Sequence, residues 1–177
     1  MRHRRDGRHE LSSIASDAGT FELVSVNSGG TAADAASIQP SITSDGSRVA
    51  FLSTAGNLVS TVPGAHHAYL RDRTTGSTTR IDSLPDGTLA NGVAQGVRLS
   101  NNGLFASLLS TSSSLTPGHN GMIADAFVFD VSTRVTLRAS VPQSLPGEPN
   151  QGAISAIGSV SDDGRFTAFQ SNIVTAP

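Results

Sequence analysis

The sequence predicts an all-β chain built from repeated four-stranded units. The segment Ser44-Asp45-Gly46-Ser47-Arg48-Val49-Ala50-Phe51-Leu52-Ser53 returns as Asn101-Asn102-Gly103-Leu104-Phe105-Ala106-Ser107-Leu108-Leu109-Ser110. It returns again as Asp162-Asp163-Gly164-Arg165-Phe166-Thr167-Ala168-Phe169-Gln170-Ser171, with the three glycines 57 and 61 residues apart. Self-similarity at such a period marks stacked supersecondary units. Composition agrees: Lys is absent and Glu occurs only at positions 10, 22 and 148. Exposed helices draw on both residues, whereas Thr, abundant here with Ser, suits pleated strands as do Val, Ile and Phe.

In the first copy, Pro40 to Thr43 is a strand and Asp45-Gly46 its turn, glycine supplying the positive φ that a tight hairpin needs. Arg48 to Ser53 follows, and its run Val49-Ala50-Phe51-Leu52 is apolar on both faces. Such a strand is sandwiched between neighbouring sheets. A loop through Gly56, Pro63 and Gly64 leads to a third strand, His67 to Asp72. Thr74-Thr75-Gly76 then turns the chain into a fourth, about Thr78 to Ser83. The second copy has the same plan in Gly96 to Ser100, Leu104 to Ser110, Asp125 to Asp130 and Val135 to Ser140. Asp72 and Asp130 correspond, as do Arg80 and Arg138, and the linkers align through Asp34, Asn91 and Asn150. Phe21 to Asn27 reads as the fourth strand of a preceding unit, and Ile157 to Gln170 as the first two strands of a following one.

The expected organisation is a disordered polar leader over 1–20 and a last strand with linker over 21–37. One unit with its linker spans 38–94, a second 95–155, and an incomplete third 156–177. Arg2, Arg4, Arg5 and Arg8 fall in the leader and read as a solvated head.

The pattern resembles the WD40-like (PD40) repeat of TolB-type β-propellers, in a long-period bacterial form. Pro40 to Phe51 and Ala68-Tyr69-Leu70-Arg71-Asp72-Arg73-Thr74-Thr75-Gly76 carry the resemblance best. The repeat signature comprises Asp45, Gly46, Phe51, Asp72, Gly76, Asn102, Gly103, Asp130, Asp163, Gly164 and Phe169. The resemblance implies a partial β-propeller: two complete four-stranded blades, a leading outer strand and a trailing half blade. It also implies a protein- or glycan-binding scaffold in a periplasmic or secreted setting. The competing implication is a propeller-type enzyme, a polysaccharide lyase or hydrolase or a peptidase-associated propeller, whose site needs further blades. Propellers use about four to eight blades. Two and a half leave apolar faces and unpaired strand edges, to be covered by further blades or by self-association. Ending in mid-blade points to a fragment of a larger propeller protein.

Site chemistry is sparse. There is no Cys, which removes disulfides and thiolate metal sites. From Phe21 onwards, 11 acidic residues face 8 arginines with no basic patch, so no nucleic-acid partner is expected. No apolar run reaches the length of a membrane span, and no signal peptide is visible. A calcium site can be sketched from Pro117-Gly118-His119-Asn120-Gly121 and Asp125, with Asn120 and Asp125 as ligands. Calcium wants six to eight oxygens, and His119 stands where an acid would help. Asn120 and Asp125 are expected to cap a loop instead, and no cofactor is expected. His66, His67 and His119 read as solvated loop histidines. Asp72 and Asp130 are expected to bond to the turns that follow them, and Arg80 and Arg138 to lie on the surface of outer strands. No Gly-x-Ser-x-Gly elbow or phosphate-binding loop is present, so no catalytic residue is assigned.

Overall fold

A computed structural model describes residues 12–14, 21–59, 64–117, 123–140 and 154–171. Among these there are twelve strands and no helix. They are β1 (Ser12–Ile14), β2 (Phe21–Leu23), β3 (Ser37–Ile42), β4 (Arg48–Ser53), β5 (His67–Asp72), β6 (Ser77–Arg80), β7 (Ala94–Leu99), β8 (Phe105–Ser110), β9 (Asp125–Asp130), β10 (Thr136–Arg138), β11 (Ile154–Val160) and β12 (Thr167–Ser171).

Two complete blades, β3-β4-β5-β6 and β7-β8-β9-β10, are antiparallel meanders in which every strand pairs with its sequence neighbour. β11–β12 is the trailing half blade. The leading outer strand, β2, has a partner that the sequence left inside the polar leader: β1 pairs with it through Ser12↔Leu23, Ser13↔Glu22 and Ile14↔Phe21. Adding 57 to each number gives Tyr69↔Arg80, Leu70↔Thr79 and Arg71↔Thr78, the β5–β6 register of the first complete blade. The isolated bridge Val26↔Ala32 repeats as Ser83↔Leu89 at the same offset. The leading unit therefore contains third and fourth strands of a blade, in the geometry of the next one.

The first strand of the first blade begins at Ser37, earlier than the sequence suggested. Gln39 takes a left-handed φ of 53° where the β3–β4 register slips between Ile38 and Ser41. This bulge carries the strand past Pro40, which lacks a donor for the ladder.

The second strands lie at the centre of the packing. In β4 and β8 every residue after the first is buried. A continuous core joins the two blades through Ala50, Leu52, Leu70, Val97, Leu108, Phe127 and Phe129. On the other face of the first blade Phe51 stacks on Tyr69, ring centroids 5.7 Å apart. On the far face of the second blade Leu109 and Ala126 pack with Ile154 of the trailing half. Sheets apolar on both faces bury them only against neighbouring sheets, and this produces the stack.

Candidate functional site

The two ends of the stack differ. At one end lie the short turns 43–47, 73–76, 100–104, 131–135 and 161–166. At the other, among the described residues, lie the longer connections between second and third strands, described over 54–59, 64–66, 111–117 and 123–124, and the linkers 24–36 and 81–93.

The short-turn end is stitched from blade to blade. Asp45 Oδ1 accepts from the Thr43 hydroxyl (2.7 Å) and from the amide and hydroxyl of Ser47 (2.9 and 2.8 Å). These donors, Thr43 foremost, hold its carboxyl down to about 2. Asn102 and Asp163 organise their turns in the same way, with Asn102 accepting from Ser100 and Leu104, and Asp163 from Ser161 and Arg165. The Ser161 hydroxyl is the main cause of the lowered carboxyl of Asp163. Each turn then bonds to the next. The Ser44 amide donates to Asn101 O at 3.0 Å. The Asn102 amide donates to Asp162 Oδ1 at 3.1 Å and its side-chain amide to Asp162 O at 2.8 Å.

Gly103 and Gly164 sit where no side chain fits. Gly103 has φ +69°, and a Cβ there would lie 2.7 Å from Thr43 Cγ2 and 3.0 Å from Arg48 Cδ. At Gly164 it would lie 2.5 Å from the Phe105 ring. The turn of each later unit thus rests on the first residue of the preceding unit's second strand. Arg48 links the set by pairing with Asp72 (3.2 Å) and donating to Gly103 O (2.9 Å).

Asp72 Oδ1 accepts from the Thr74 and Thr75 amides at 3.0 and 2.9 Å, and Asp130 Oδ1 from those of Ser132 and Thr133 at 2.8 and 3.1 Å. Burial pushes Asp72 up, but the Thr75 amide and Arg48 outweigh it and its carboxyl lies below the usual range. The Ser132 hydroxyl leads in lowering Asp130. Phe51 and Phe169 hold equivalent positions in different surroundings. Phe51 is fully buried and Phe169 is 38% exposed.

The long-loop end holds a cluster of buried charge among the described residues. Arg80, expected on the surface, is only 4% exposed. Its Nε and Nη2 contact the two Asp82 oxygens at 2.7 and 3.1 Å, and Nη2 also donates to Ala90 O at 2.8 Å. His67, expected in solvent, is 6% exposed, with Nδ1 3.0 Å from Asp82 Oδ2. The Ala68 amide completes the shell of Asp82 at 3.2 Å. Both corrections have one cause: the linker folds over the end of β6, and the buried guanidinium and imidazole are compensated by a shared carboxylate.

In the second blade the carboxylate has changed places. Asp125 stands where His67 does, Ser140 where Asp82 does, and Arg138 where Arg80 does. Arg138, also expected on the surface, has its side chain 14% exposed and reaches Asp125 Oδ2 at 2.7 Å. Ser140 donates to Asp125 Oδ1 at 2.7 Å. Asp125, a calcium candidate in the sequence, is thus engaged by an arginine and a serine, and Asn120 lies outside the described residues. No group of three or more His, Asp or Glu suited to a metal ion occurs among the described residues. Asp82 was missed by the sequence reading. Its signal was available in the exchange of acid and neutral residue between positions 67/82 and 125/140.

The linkers are tied to the same end. Asp34 donates its amide to Asn57 Oδ1 (3.0 Å) and accepts from Gly56 N (2.9 Å). Asn91 does the equivalent with Ser114, donating at 3.1 Å and accepting at 3.1 Å. Asn150 lies outside the described residues.

No family model matches the chain, and no curated protein matches it. Solved structures do. The tricorn protease aligns at TM-score 0.55 and 13% identity, over 92% of this chain and 13% of its own. A putative TolB from Agrobacterium tumefaciens aligns at TM-score 0.52 and 17% identity, over 93% and 47%. TolB from Acinetobacter baumannii gives 0.47 and 18%, over 92% and 32%. The chain spans less than half the length of each. At these identities the likeness concerns fold. Repeated antiparallel sheets stacked face to face, with the tricorn protease and the Agrobacterium tumefaciens protein as structural neighbours, give the chain the fold of a partial TolB-like β-propeller.

Proposed function

We propose that the protein is a non-enzymatic propeller scaffold, acting in the periplasm or outside the cell, that binds a protein or glycan partner through its long-loop end. The observation that supports this is the asymmetry of the two ends. The short turns spend their polar groups on each other, whereas the connections at the other end are longer in sequence and share that end with a buried charge cluster. Recognition loops on a stiff framework are the usual arrangement for binding. The reading requires no cofactor.

The test uses glycan arrays and photocrosslinking against periplasmic and secreted fractions, with two paired variants. Ala65→Arg with Pro117→Arg alters the long-loop end, and Thr74→Glu with Leu104→Glu the short-turn end. The first pair is expected to weaken binding about tenfold or more, the usual scale of loss at an interface centre, and the second to leave it unchanged. The reverse pattern, recovery of no partner, or turnover of a polysaccharide or peptide by the chain overturns the reading.

A further inference from the structure

Five Asn-Gly or Asp-Gly pairs lie among the described residues: Asp45-Gly46, Asp86-Gly87, Asn91-Gly92, Asn102-Gly103 and Asp163-Gly164. In four of them the glycine amide is engaged, donating to Thr43 O, Leu84 O, Ser100 O and Ser161 O at 2.9 to 3.0 Å. The Gly92 amide has no acceptor among the described residues. Asn91 and Gly92 are both exposed to solvent, whereas Gly103 is buried.

An asparagine side chain is open to attack by the backbone amide of the residue that follows. Glycine leaves that amide unshielded because it has no Cβ. Gly92 is also held to glycine by its place: a Cβ there would lie 2.7 Å from Ser112 Cα and 2.8 Å from the Ser112 amide nitrogen. The equivalent pair in the preceding linker is Asp34-Ala35, an acid followed by a methyl group. The electrophile is set as well. Asn91 Oδ1 accepts from the Ser112 hydroxyl at 2.9 Å and the Ser114 amide at 3.1 Å, while Nδ2 donates to Ser113 Oγ at 2.9 Å. Two donors on one carbonyl oxygen stabilise the negative charge that arrives with a nucleophile.

We propose that Asn91-Gly92 is a self-modifying site, which cyclises and hydrolyses to aspartate or isoaspartate while Asn102-Gly103 stays intact. The Gly92 nitrogen gives its proton to hydroxide and bonds to Asn91 Cγ. The oxyanion forms on Oδ1, between Ser112 and Ser114. The Cγ–Nδ2 bond then breaks, Nδ2 takes a proton from water, and ammonia departs to leave a succinimide. Water opens the ring at Cγ to give aspartate, or at the backbone carbonyl to give isoaspartate. The net change is the exchange of water for ammonia.

The aspartate product fits its surroundings. Hydroxyls donate as well as accept, so Ser113 can turn its proton to the new carboxylate beside Ser112 and Ser114. Asp34 already fills the equivalent place, accepting from Gly56 N at 2.9 Å. Isoaspartate adds a main-chain carbon and displaces Gly92 from the backbone of Thr111 and Ser112. The site stands whatever the long-loop end binds.

The test holds the unaltered chain at pH 7, folded and in urea, and samples it by tryptic mapping. Electron-transfer fragmentation separates aspartate from isoaspartate. Asn91 is the only asparagine between Arg80 and Arg98, and fragment masses place Asn102 and Asn120 individually. In the folded chain Asn91 is expected to lose its amide about tenfold or more faster than Asn102. Reaction at Asn102 must first break the Gly103–Ser100 bond and its own bond to Asp162. In urea the two rates should converge, since both asparagines precede glycine. Ser112→Ala should slow the loss at Asn91 severalfold. Equal rates in the folded chain, or an Asn91 that reacts only in urea, overturns the proposal. So does faster loss in Ser112→Ala, for the hydrogen bonds would then restrain Asn91 rather than activate it.

Discussion

Exchanging the buried charge pattern of one blade for that of the other should cost clearly less than the sum of its two halves. Asp82→Ser removes the carboxylate that Arg80 contacts at 2.7 and 3.1 Å and that His67 Nδ1 approaches at 3.0 Å. Arg80 and Asp82 have side chains only 4% and 3% exposed, so water cannot replace the lost partner. Breaking a buried pair from one side costs about 3–5 kcal/mol, a large part of the total of about 5–15 kcal/mol that holds a domain folded. His67→Asp alone places a second carboxylate beside the first, with one guanidinium between them, and also destabilises. Together the two changes recreate the arrangement of Asp125, Ser140 and Arg138, in which arginine meets acid at 2.7 Å. The double variant should recover about 2–3 kcal/mol relative to the sum of its parts, the upper range of coupling between contacting residues. Urea unfolding at pH 7, followed by far-UV circular dichroism for the parent, both singles and the double, measures it. Additivity within about 0.5 kcal/mol would refute the equivalence of the two clusters.

Two further outcomes follow from the turns. Gly103→Ala meets both a left-handed φ and a wall of Thr43 and Arg48, whereas Gly87→Ala meets φ +85° with nothing within 4 Å. The second should cost about 1–2 kcal/mol of backbone strain and the first about 1–3 kcal/mol more for overpacking. Equal midpoints in urea would contradict the close seating of neighbouring turns. Acid should act through the same turns. Asp45 falls from an ordinary 3.8 to about 2, and Asp72, Asp130 and Asp163 are lowered too. A carboxylate with a depressed folded pKa stabilises fully above its unfolded value and loses that contribution as pH falls through the folded one. Unfolding midpoints should therefore decline between about pH 4 and pH 2, and less steeply in Asp45→Asn; a midpoint constant over that window would count against it.

Much of the fold was legible because it is written more than once. β4, β5 and β9 begin and end where the repeat placed them, since a turn residue marks one side and an apolar run the other. β1 was invisible for a physical reason. Ser12–Ile14 carries little apolar signal of its own, and only the register it shares with Tyr69–Arg71 identifies it. The buried clusters were half legible. Arg80 and Arg138 were recognised as equivalents, but an arginine near the end of an outer strand gives no sign that a linker will cover it. The partner carboxylate is two residues from the arginine in one blade and 13 residues away, at the start of the paired strand, in the next, and the equivalence emerges only when the two are superimposed.

The inter-turn bonds Ser44–Asn101 and Asn102–Asp162 also govern where such a chain can grow. Gly46 to Gly103 takes 57 residues and Gly103 to Gly164 takes 61. In sequence, one of the four extra residues falls between β8 and β9 and three fall between β10 and β11, outside the stretches that hold the inter-turn bonds. The molecule behaves like a bound book, sewn along the spine and left untrimmed at the fore-edge. New pages of sequence can be added on the open side while the spacing of the leaves stays the same.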